Sequence, residues 1–144
     1  MVGPEPSVHD NVIYAYSVSC EERVLILHTA FRDREPQELT DIVFHDVVAH
    51  HFEHVLEGNI LFDVEDMEVA ALVRDNTNVF ADSWRYGWPA IEYRGDLDTL
   101  VRALQGAGIH AYAISSSYGL SGWVLARNCQ RLLRHVAARL TDTP

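Results

Sequence analysis

The sequence predicts an α+β fold, mainly an antiparallel sheet with helices packed on one face, in a single domain over residues 1–144. Three observations lead there. The β-forming runs come in groups instead of alternating with helical stripes, an order that suits antiparallel rather than parallel sheets. One segment carries a plain helical stripe, with Leu97, Leu100, Val101 and Leu104 at i, i+3, i+4 and i+7. The chain of 144 residues, 48% of them hydrophobic, suffices for one core. It is too short for two ordinary domains of about 100–150 residues each.

The first strand is expected from Asn11 to Cys20, where Tyr14, Tyr16 and Val18 alternate among other β-formers, and the second from Arg23 to Arg32 after the polar break Cys20-Glu21-Glu22. The charged segment DREPQEL reads as a loop. A long third strand follows from Asp41 to His54 through Ile42, Val43, Phe44, Val47 and Val48, then a turn at Glu57-Gly58-Asn59 and a short fourth strand from Ile60 to Val64. Glu65, Asp66 and Glu68 suit the first turn of a helix, whose positive dipole end favours acids. That helix is marked by Val69, Leu72, Val73, Phe80 and Trp84, weakened at Asn76-Thr77-Asn78 and ended by Trp88-Pro89. The next runs from Asp96, a capping residue, to Ala107, with Gly106 and Gly108 at its close. Ile109 to Ser116 and Gly122 to Arg127 are strands around the turn SYGLSG, and Cys129, Leu133, Val136 and Leu140 mark a final amphipathic helix.

Charge excludes some partners. Eleven basic against 21 acidic residues give a formal −10, the wrong sign for non-specific binding to nucleic acid or an anionic membrane. The imbalance sits in one block, since Asp33 to Asp82 holds 13 acids against Arg34 and Arg74 while the remainder is close to neutral. A basic protein partner is therefore expected. All basic residues are arginine, which fits a bacterial, GC-rich source. The opening MVGPEPSVHD has neither a basic nor an apolar leader run, and no stretch reaches the roughly 18 apolar residues of a membrane span, so a cytoplasmic location is expected. Cys20 and Cys129 are read as buried free thiols.

Three segments bear on chemistry. His50-His51-Phe52-Glu53-His54 spells H-x-x-E-H, which resembles the inverted zinc-peptidase motif. That site needs a helix, because on a strand residues four apart lie about 13 Å from one another and cannot share an ion. The β-branched IVFHDVV before it predicts strand, so no metal and no cofactor are expected. On such a strand His45, His51 and Glu53 share one face and Asp46, His50 and His54 the other, and His51 can pair with Glu53. The serines of SSSYGLSG fit neither a nucleophile elbow nor a phosphate loop and are read as a hairpin turn, which leaves no catalytic residue assigned. The segment SWRYGWP is more aromatic than a loop's packing requires, so Trp84, Arg85, Tyr86 and Trp88 are read with Glu65, Asp66 and Glu68 as the partner-binding set.

The size, acidity and grouped strands, with the stretch IHAYAISSSYGLSGWVLA, resemble the small immunity-type proteins of bacterial toxin systems. The resemblance implies a non-enzymatic protein that binds and blocks a cognate toxin, often a basic nuclease. It carries no residue-level inhibitory set. A small-ligand-binding or regulatory domain is the alternative, followed by a metal-dependent hydrolase using His50, Glu53 and His54.

Overall fold

The computed structural model describes residues 5–81, 83–89 and 96–134. It is mostly antiparallel sheet with few and short helices. The strands are β1 Val12–Ser19, β2 Val24–Phe31, β3 Glu38–His45, β4 Ala49–Glu53, β5 Asn59–Met67, β6 His110–Tyr118, β7 Ser121–Ala126 and β8 Asn128–Arg134. The helices are α1 Val69–Asp75, α2 Thr77–Ala81 and α3 Leu97–Gly106, with a 3-10 turn at Ser83–Tyr86. None of the described helices is long and apolar enough to cross a membrane.

Every ladder is antiparallel, in the order β4-β7-β6-β5-β1-β2-β3-β8. The two ends of that order belong to one ribbon. The β3–β8 ladder ends at His45 opposite Asn128, and the β4–β7 ladder starts at Ala49 opposite Leu125. Between them the Arg127 amide donates to the His45 carbonyl at 3.0 Å and the Val48 amide to the Leu125 carbonyl at 2.8 Å. The ladders therefore join into a ring, and Ile13, Leu25, Ile42, Leu61, Ile114 and Val124 fill it from six strands.

The expected single strand from Asp41 to His54 is thus two strands, broken at residues 46–48. Asp46 stands at φ 55°, a left-handed conformation that aspartate adopts more readily than most residues. Its carboxylate lies 3.3 Å from Arg127 and 3.6 Å from Arg23, which fixes the bend. The expected final helix is also overturned: residues 128–134 form β8 against β3. Cys129 and Leu133 are four apart, a spacing that suits two strand periods as well as one helical turn, and pairing with β3 decides between them. Val136 and Leu140 lie outside the described residues.

Strand β5 runs on to Met67, so Glu65 and Asp66 belong to a strand and not to a helical first turn. Helix α1 starts after Glu68, which is extended and makes no side-chain cap bond. The helix expected from Val69 to Trp84 is split where the sequence is weak. Asn76 Nδ2 donates to the Leu72 carbonyl at 2.8 Å and Thr77 Oγ1 to the Arg74 carbonyl at 2.9 Å, so these side chains take backbone acceptors at the junction. Helix α3 follows expectation, with the Asp96 carboxylate accepting from the Asp98 amide at 3.1 Å.

A second apolar cluster joins Leu72, Phe80, Leu100 and Leu104 of the helices to Ala111, Trp123 and Leu125 of β6 and β7. Tyr112 and Val124, one residue away, belong to the first cluster. Both faces of β7 are thus buried, which explains its unbroken apolar run WVLA. Because Leu100 is fully buried, Leu100→Ala is expected to cost about 2–5 kcal/mol in urea unfolding. A loss below about 0.5 kcal/mol would place α3 outside the core, within the range of ordinary surface changes.

Candidate functional site

Glu65, Asp66 and Glu68 are exposed at the junction of β5 and α1, and none of them forms an ion pair among the described residues. The rest of the acidic block is less uniform than the sequence suggests. Glu38 pairs with Arg34, Asp41 lies 3.1 Å from Arg134, and Asp63 lies 3.3 Å from Arg131. With Asp46 held by Arg23 and Arg127, four arginines from outside the block neutralise acids within it. Asp33, Glu35, Glu53, Glu57 and Asp75 are also exposed and outside any ion pair among the described residues, but Glu65, Asp66 and Glu68 put three such acids within four consecutive positions.

Of the aromatic segment, Tyr86 is 86% exposed. Trp88 is partly buried in the second cluster and stacks on Phe80, with ring centroids 5.3 Å apart at 21°. The backbone of Trp84 and Arg85 forms the 3-10 turn, while their side chains lie outside the described residues.

The histidine motif lies on and just beyond β4. His51 stacks on Trp123 with centroids 6.0 Å apart and forms no ion pair with Glu53, whereas the His50 ring lies 5.3 Å from that of Phe52. Desolvation, and after it the neighbouring His51, hold the His50 imidazole below the ordinary histidine range. His54 follows the strand at φ 61°, and His45 Nε2 lies 3.2 Å from Gln130 Oε1. Among the described residues no three His, Cys, Asp or Glu side chains converge as a metal ion requires. Both cysteines are free, but Cys20 is exposed, against the sequence expectation, and Cys129 partly buried. Burial pushes the Cys129 thiol up to about 12, which keeps it protonated and inert.

The serine-rich turn is structural. Ser116 Oγ donates to the Leu120 carbonyl, Ser115 Oγ to the Asp63 carbonyl at 3.3 Å, and Gly119 turns at φ 93° against Asn59.

Sequence reasoning missed one polar constellation, which spans β1, β2, β3 and β8. His28 Nδ1 lies 2.9 Å from Asp41 Oδ1 and His28 Nε2 lies 3.2 Å from Ser17 Oγ. A carboxylate can only accept, so Nδ1 carries a proton, and in the neutral ring Nε2 then accepts from the serine hydroxyl. Asp41 and His28 are directly opposite in the β2–β3 ladder, with side chains 15% and 23% exposed, and Ser17 is exposed. Arg134 lies beside the same Asp41 oxygen and donates through its terminal nitrogen to the Tyr14 hydroxyl. No local motif announces this group, because its members meet only through strand register.

Comparisons with protein-family models, with curated proteins and with solved structures returned no match.

Proposed function

We propose that the protein acts by binding, as an immunity-type inhibitor that captures a basic protein partner through the carboxylates of Glu65, Asp66 and Glu68. One observation carries this reading: of the block's acids that are exposed and unpaired among the described residues, these three stand within four consecutive positions, while four others are held by arginines. Unpaired surface charge of one sign speeds encounter with a partner of the other sign, and an arginine-held carboxylate contributes little to that field. We propose further that α1, α2 and α3 cover one face of the sheet. The cluster they share with Ala111, Trp123 and Leu125 supports this. Of the described aromatic side chains of SWRYGWP, Tyr86 is open to a partner, whereas Trp88 is stacked on Phe80.

The test is capture. The immobilised protein, challenged at about 50 mM salt with a basic product of an adjoining gene, should retain it and release it as salt rises, since exposed charge is screened over about 10 Å at 0.1 M. Failure to retain any such product would count against the immunity reading.

Ligand binding is a second reading, favoured by a cavity of about 240 Å³ whose lining includes Val18, Cys20, Arg23, Val47, His50 and Trp88. The hydrolase reading through His50, Glu53 and His54 has no comparable support, because His50 and Glu53 lie on a strand and His54 beyond its end.

A further inference from the structure

We infer that Ser17, His28 and Asp41 form a nucleophilic site for small carboxylic esters with good leaving groups. This site is separate from the partner-binding surface and does not depend on it.

Asp41 accepts from Nδ1–H and holds one tautomer and one ring orientation, so the free electron pair of Nε2 faces the serine hydroxyl at 3.2 Å. That is the nucleophile, base and orienting carboxylate relation by which hydrolytic serines are recognised, irrespective of their order in the chain. A merely structural cross-strand pair needs only His28 and Asp41. The third member sits on another strand and presents its hydroxyl to solvent.

The chemistry balances without any further reactant than water. Ser17 Oγ attacks the ester carbonyl carbon while its proton passes to His28 Nε2. The tetrahedral adduct collapses, the bond to the leaving oxygen breaks, and that oxygen takes the proton from Nε2, which leaves acyl-Ser17 and an alcohol or phenol. Water then attacks the acyl carbon and gives a proton to Nε2. The acid departs, and the proton returns to Ser17 Oγ. Throughout, Asp41 stabilises the imidazolium without being protonated.

The surroundings set the substrate class. Backbone amides of β2 and β3 are paired on both sides, whereas β1 beyond Ile13 pairs with β2 alone; the Tyr14 hydroxyl and the Arg134 guanidinium are the side-chain donors beside His28 and Asp41 for a developing oxyanion. Side-chain donors on an open sheet supply less stabilisation than an enclosed backbone hole. The site therefore suits activated aryl esters and not amides. Leu132, opposite Asp41 on β8 and about half exposed, offers an apolar contact for a short acyl chain.

The experiment treats the full chain with p-nitrophenyl acetate and, separately, with a fluorophosphonate probe, and locates any adduct by peptide mass spectrometry. The expected result is a fluorophosphonate adduct on Ser17 and ester turnover that falls at least tenfold in Ser17→Ala and in His28→Gln, while Ser117→Ala matches the parent. Surface imidazoles cleave such esters slowly without a nucleophilic serine, so the adduct decides. Ser17 is exposed and its replacement leaves the core intact, and the label on the unaltered protein needs no variant at all. Absence of an adduct on Ser17, or turnover unchanged in Ser17→Ala, overturns the inference and reduces the constellation to a cross-strand polar ladder.

Discussion

Asn59→Leu is expected to destabilise the protein by about 3–5 kcal/mol, because four backbone groups lose their partner at once and each buried polar group left bare costs about 1–3 kcal/mol before relaxation. The Asn59 side chain is buried where the β1–β5 ladder is thinnest, with only the pairs Val12–Ile60 and Ile13–Asn59. Its Nδ2 donates to the carbonyls of Leu56 at 2.6 Å and Ile13 at 3.3 Å, and its Oδ1 accepts from the amides of Leu56 and Leu120, both at 2.8 Å. One amide thus ties β1, the β4–β5 turn and the β6–β7 turn together. Leucine approximates its size and supplies none of these bonds. Asn59→Asp keeps the acceptors and loses both donors, so it should fall between the parent and Asn59→Leu. Urea unfolding measures both, and a cost below about 1 kcal/mol for leucine, less than one such bare group, would mean that water replaces the amide.

Gly122→Ala is expected to cost at least about 3 kcal/mol, at the upper end of what overpacking does, because the obstacle is backbone and cannot rotate away. A Cβ there would stand 2.9 Å from the His51 carbonyl carbon and 3.0 Å from Phe52 Cα, and closer still to the His51 carbonyl oxygen. Gly122 pairs directly with Phe52 in the β4–β7 ladder. The added methyl must therefore push β4 off β7 and open the ring at its bent ribbon. Amide exchange should quicken first in residues 49–53, before the rest of the sheet. Equal protection of β4 in both proteins would show that the approach is looser than described.

These two positions show where sequence reading reached its limit. Asn59 was legible as a turn residue, since Glu57-Gly58-Asn59 reads so, but nothing local announces its four partners, one of which is 61 residues away. The stripe from Leu97 to Leu104 and the apolar WVLA were legible because burial of the element's own faces sets the pattern, whereas β1 was legible from its β-forming residues although Tyr14, Tyr16 and Val18 are exposed. The bend at Asp46 was not, as it rests on Arg127 and Arg23. Residues 128–134 were misread as helix because a spacing of four serves both periods. The candidate sites divide in the same way. The exposed acids could be named from composition, but which of them remain unpaired depended on Arg131 and Arg134 meeting Asp63 and Asp41 across the fold. Ser17, His28 and Asp41 are 11 and 13 residues apart in sequence and converge only once the hairpin registers are known.

If the unpaired acids at the β5–α1 junction steer a basic partner as proposed, association kinetics must show it. With the captured partner, the parent protein should associate about tenfold more slowly at 200 mM salt than at 50 mM, the modest end of electrostatic steering. The double variant Glu65→Arg with Glu68→Arg should start slow and respond little to salt, and its dissociation rate should change less than its association rate. Association that ignores salt in the parent and is unaltered in the double variant would contradict the claim and make the acidic block a solvated surface.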